Sequence, residues 1–121
     1  MKKIIEYLDQ RKVEDKDYRE YLISGDTALK EFCLASHKSF DFMVSHFLDN
    51  SSKRGYGLIA TNEWLQLPDD WMAIGLIEGD DIICMDLTDG SIYLWMIQTG
   101  NGEYLKVADS FKELLAMVIN R

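Results

Sequence analysis

The stretch Ile77–Trp95, "IEGDDIICMDLTDGSIYLW", sets five carboxylates among some of the most apolar residues of the chain. It reads either as an acidic catalytic or metal-binding cluster, or as a β-hairpin whose acids stand only where water reaches. Asp89-Gly90 between two apolar runs is the strongest short-range hairpin cue a sequence offers. With those two residues in the turn, Thr88 faces Ser91, Leu87 faces Ile92 and Met85 faces Leu94. Both arms are apolar at nearly every position, which predicts a central hairpin covered on both faces. Glu78, Asp80 and Asp81 precede the first arm in "EGDD", a tight turn, and Asp89 sits in the hairpin turn that its side chain favours. Only Asp86 lies within a strand. An EF-hand needs oxygen ligands at positions 1, 3 and 5, a glycine at 6 and a glutamate at 12, and neither Asp81 nor Asp86 starts that register. These acids read as solvated turn residues.

Working outward, "TGNG" (99–102) is a second turn and "EYLKV" a short strand. Ser110 and Glu113 then form a capping box, with Asp109 adding negative charge at the helix start. Phe111, Leu114, Leu115, Val118 and Ile119 repeat at helical spacing, predicting an amphipathic helix against the sheet. Upstream, "WMAIGLI" reads as a strand after the Pro68-Asp69-Asp70 turn, "YGLIA" as another, and "NSSKRG" (50–55) as a loop joining two halves.

The first fifty residues read as helical. Ile4 to Ile23 suggests one or two short helices, and Asp26 can cap another carrying Leu29, Phe32 and Cys33. Phe40, Met43, Val44, Phe47 and Leu48 fit one buried helical stripe. The expectation is an α+β fold over residues 1–121 as one domain. Helices occupy about 1–50, followed over about 55–121 by a mainly antiparallel sheet of about four to six strands and one C-terminal helix.

The chain has 121 residues, 47% hydrophobic and 28% charged, with one proline. That is the composition of a globular domain able to bury a core. The apolar run near the start breaks at Glu6, too short for a signal peptide, and no later stretch could cross a bilayer. Cys33 and Cys84 stand in separate apolar runs, as buried free thiols of a reducing compartment do. A cytoplasmic location follows. The net charge of −8 argues against nucleic acid or anionic membrane as a direct partner. Between Arg54 and Lys106 lie nine acids and no lysine or arginine, so one half carries an uncompensated negative field.

The catalytic routes are thin. His37 and His46 lack the i, i+4 spacing of a helical zinc pair. No nucleophile elbow, Cys-x-x-Cys, P-loop or dinucleotide fingerprint is present, and Gly55-Tyr56-Gly57 is an isolated G-x-G. A thiol nucleophile would need an exposed cysteine. The reading assigns no catalytic residue, no metal ligand and no cofactor. Trp64, Trp71 and Trp95 fall in the acidic half. Trp95 reads as core against a helix, whereas Trp64 and Trp71 flank the "LPDD" turn, where indoles either pack on the sheet edge or anchor an interface.

The order "LPDDWMAIGLIEGDDIICMDLTDGSIYLW", a turn, then "VADSFKELL" resembles the SUKH superfamily in its Smi/Knr branch. The residues carrying the likeness are Gly79-Asp80, Asp86, Trp95, and Val107-Ala108-Asp109-Ser110-Phe111 with Leu114 and Leu115. The resemblance implies an antiparallel sheet packed by helices. It also implies a non-enzymatic bacterial immunity protein that binds a toxin's effector domain and blocks it. Other members of the superfamily act as scaffolds or regulators, the alternative reading. Many such toxins degrade nucleic acid through cationic clefts, so an acidic face suits such a partner. The expected contact residues are Asp69, Asp70, Trp71, Glu78, Asp80, Asp81 and Asp89, on a monomer or weak homodimer.

Overall fold

The computed structural model describes residues 2–24, 33–36, 40–98 and 100–118. In these the elements are α1 (Lys2–Gln10), α2 (Lys16–Ser24), β1 (Cys33–Ser36), β2 (Asp41–Phe47), α3 (Leu58–Leu65), β3 (Trp71–Ile77), β4 (Ile82–Asp86), β5 (Ile92–Trp95), β6 (Tyr104–Ala108) and α4 (Phe111–Met117). The strands form one antiparallel sheet in sequence order, β1 to β6. The architecture is α+β, as the hairpin reading requires.

Two expectations fail, for identifiable reasons. The stretch read as a helix over Phe40–Leu48 is strand β2, and Cys33 opens β1. The buried positions of β2 are Phe42, Val44 and Phe47. A bulge between Val44 and His46 inserts one residue, so the spacing runs two and then three and imitates a helical stripe. The Asp26 cap and its helix fall at residues outside those described.

Conversely, "YGLIA" begins α3 rather than a strand. The buried positions there are Leu58, Thr61 and Asn62, with Leu65 partly covered, which is helical spacing. Two of the four are polar, so a pattern of apolar residues alone hides the helix. Gly57 precedes it at a close approach, where an added Cβ would lie 1.9 Å from the Ser51 carbonyl oxygen.

The central hairpin forms, with its register two residues from that expected. Met85 pairs with Ile92 and Ile83 with Leu94. A shift of two keeps every side chain on its expected face. The longer tip is built by its own side chains. Asp86 Oδ1 accepts from the Thr88 amide at 2.9 Å and hydroxyl at 2.6 Å. Asp89 Oδ1 accepts from the Ser91 amide at 2.9 Å and hydroxyl at 2.6 Å.

One sheet face carries Phe47, Ile83, Met85, Ile92 and Leu94, all buried. Phe111 of α4 packs edge-on against Phe47 at 5.7 Å and against Tyr18 of α2 at 4.9 Å, which places these helices on that face. The expected cap holds: the Ser110 hydroxyl accepts from the Glu113 amide at 3.1 Å. Asp15 joins two helices, with Oδ1 accepting from the Tyr18 amide at 3.0 Å and Oδ2 from the Phe111 amide at 3.4 Å. Among the described residues no helix is long and apolar enough to cross a membrane.

Candidate binding surface

The strand directions decide where each acid goes. β3 begins at Trp71 where β4 ends at Asp86, and these two residues are paired. The Leu87 amide donates to the Asp70 carbonyl at 2.8 Å, fastening the β4–β5 tip to the loop before β3. Asp69, Asp70, Asp86 and Asp89 therefore share one end of the sheet. Glu78 and Asp80 occupy the β3–β4 turn at the other end, a seven-residue strand away, or about 20 Å at the usual rise of a strand. The seven expected contact residues do not form one surface.

Asp81 is a correction. It is buried at 0% exposure, and its Oδ1 accepts from the Gln98 amide at 2.7 Å. It stands just past the exposed turn, in which Gly79 and Asp80 both take left-handed backbone (φ 90° and 67°). It fastens the segment after β5 to the start of β4 and offers nothing to a partner.

At the first end no carboxylate forms an ion pair among the described residues, although the Lys106 charge acts on Asp89. Among the described residues the ion pairs are Asp9–Arg19 at 2.9 Å and Lys106–Asp109 at 2.8 Å. Neither involves Asp69, Asp70, Asp86 or Asp89. Arg11 is close, but its guanidinium donates to the main-chain carbonyls of Trp71 at 2.6 Å and Asp69 at 3.3 Å. The Ser91 hydroxyl and amide hold the exposed Asp89 carboxyl below its ordinary value, so it stays charged. Asp89 also lines a shallow cavity of about 260 Å³ with Glu14 and Asp15. Among the described residues no three His, Cys, Asp or Glu side chains are grouped to hold a metal ion.

Trp71 is half-buried in an aromatic cluster that the sequence reading did not assemble. Its indole meets Tyr93 at 5.0 Å and Tyr104 at 4.8 Å, and Tyr104 stacks on Trp95 at 5.7 Å with planes 2° apart. Trp71 lies on β3 and its ring partners on β5 and β6, so the indole reaches across β4, where Cys84 pairs with Tyr93. Trp95 was expected to pack against a helix. It stacks on Tyr104 on the face opposite Leu94, and its Nε1 donates to the Gly102 carbonyl at 3.1 Å. The period of two in "SIYLW" puts Tyr93 and Trp95 on one face. Tyr104 joins them only through pairing across "TGNG", which spacing does not give.

The remaining candidates are structural. Cys84 is buried and free, and burial pushes its thiol up to about 12, far from a nucleophile's range. The His46 ring bonds Ser45 Oγ at 3.0 Å and the Gly55 carbonyl at 2.7 Å, and it stacks on Tyr56. It is a core-edge histidine. His37 and the Cys33 side chain lie outside the described residues. Trp64 is 58% exposed beneath Arg54, at 5.0 Å.

Comparison with curated proteins and with solved structures finds no significant match. A family model does match, over residues 12–117. Its span runs from the end of α1 through α4 and takes in every strand of the sheet. The chain belongs to the SMI1 / KNR4 family (SUKH-1).

Proposed function

We propose that the protein is an immunity-type binding module that neutralises a toxin domain by covering a cationic surface, and that it performs no reaction itself. Family membership supports a protein-interaction role. The observation that carries the finer reading is the end of the sheet that holds Trp71, Asp69, Asp70, Asp86 and Asp89, where no basic side chain among the described residues is paired to any of these acids. A half-buried indole at the same end of the sheet as several acids is an anchor with a directional field. The ring supplies contact area, and the charges attract and orient a basic partner. Glu78 and Asp80, at the far end, belong to the general field rather than to this contact.

The experiment is co-expression with the product of the neighbouring gene. Rescue of growth together with a stable complex is the expected result. Continued killing with no complex would overturn the reading.

A further inference from the structure

We infer that the cluster of Trp71, Tyr93, Trp95 and Tyr104 is a seat for an arginine side chain of a basic partner protein, with Asp86 as its anionic rim. The inference deepens the proposed function and rests on it for the partner's identity, though not for the chemistry of the seat.

Three other aromatic residues of this chain carry a cation of their own. Arg11 lies 5.6 Å from the Tyr7 ring centre, Lys53 4.9 Å from Tyr56, and Arg54 5.0 Å from Trp64. The four clustered rings, on the sheet face opposite Leu94, carry none among the described residues. Lys106 is the basic residue placed to reach them, since it pairs with Tyr93 across β5 and β6. Its ammonium is held by Asp109 at 2.8 Å, a bond that also raises its pKa, and it acts electrostatically on the Tyr93 hydroxyl and on Asp89 without standing over a ring. The rings therefore offer faces that no cation among the described residues covers.

The surface is also built to stay in place. The Trp95 indole is fixed by the Gly102 carbonyl, and Trp71 meets Tyr93 edge-on and Tyr104 at a tilt. Tyr104 is 41% exposed, while Trp71, Tyr93 and Trp95 are half-buried, so partly open ring surface remains. Rings already held in position lose little freedom when a ligand stacks on them. On the rim, both bonds received by Asp86 go to Oδ1, leaving Oδ2 without a donor among the described residues. A guanidinium is planar, stacks on aromatic faces and presents a fork of donors to a carboxylate, so it fits rings beside carboxylates better than an ammonium does.

Titration of the full chain with acetylated tetra-arginine amide, followed by the indole N–H resonances in a nitrogen–proton correlation spectrum, tests the seat without any variant. The expected result is saturable movement of the Trp71 and Trp95 signals with Trp64 unmoved, and about threefold weaker binding of tetra-lysine. No movement, movement of Trp64 alone, or equal response to the lysine peptide would overturn the inference. Tyr104→Leu keeps the apolar contact and removes the π face, so it should weaken the arginine response severalfold while the remaining spectrum is preserved. A toxin complex with silent Trp71 and Trp95 indoles refutes the seat and leaves the proposed function standing. Moving indoles with no toxin complex do the reverse.

Discussion

Tyr18 lies wholly inside the core, edge-on to Phe111, and its hydroxyl finds no hydrogen-bond partner among the described residues. A hydroxyl buried without a partner has lost its water and gained nothing in exchange. Tyr18→Phe should therefore leave stability unchanged or raise it by about 1 kcal/mol in urea denaturation near neutral pH. The same burial drives the phenol far above its ordinary value, as it drives the Cys84 thiol up to about 12. Below about pH 7.5 both groups are protonated in the folded and unfolded chains and contribute nothing to pH dependence. Above that the unfolded chain releases first the thiol proton and, from about pH 9, the phenol proton, while the folded chain keeps both up to about pH 12. Stability must then fall with rising pH, by up to about 1.4 kcal/mol per pH unit for each group. Tyr18→Phe should make this alkaline loss shallower from about pH 9, and Cys84→Val should do so already from about pH 8. An unchanged alkaline slope in both variants would show that neither proton resists release in the fold. Asp81 belongs to the same scale. In sequence it is one more acid of a turn, and only the loop arriving from residue 98 makes it a buried acceptor.

Asn62 shows how a single polar side chain sets an element. Its Nδ2 donates to the Ala73 carbonyl at 2.9 Å and its Oδ1 accepts from the Ala73 amide at 2.8 Å, both buried. β2 pairs with β3 only along residues 75–77 of the latter, so the side chain of α3 supplies at Ala73 what a neighbouring strand would have supplied. Asn62→Ala strands a buried donor and a buried acceptor together, and should cost about 3 kcal/mol in urea denaturation. This arrangement also explains which elements were legible. The β3–β5 region and the capped helix α4 follow from apolar runs, Asp-Gly and Ser-x-x-Glu, all local signals. β2 and α3 were misread because a bulge disturbed one period and buried polar residues masked the other. The aromatic cluster was half legible. Period two aligns Tyr93 with Trp95, but the addition of Trp71 and Tyr104 depends on strand order and register.

At the scale of the whole molecule the question is whether the net charge of −8 acts as a bulk property or through one place. The two acidic ends give a direct comparison. Asp69→Asn with Asp70→Asn, and Glu78→Gln with Asp80→Asn, each remove two negative charges, so the net charge and average field change equally. The pairs lie about 20 Å apart, beyond the screening length of about 8 Å at physiological salt. Any difference between them must come from where the partner lands. If the toxin docks at Trp71, neutralising Asp69 and Asp70 should lower its association rate about tenfold at low salt, with the effect shrinking as salt is added. Neutralising Glu78 and Asp80 should reduce it less than about twofold under physiological salt, because those charges are screened from the contact. Stopped-flow association with the toxin domain, over a salt series, makes the comparison. Equal losses in the two variants would mean that the acids act only through their sum, and the partner would then have to be sought on another face.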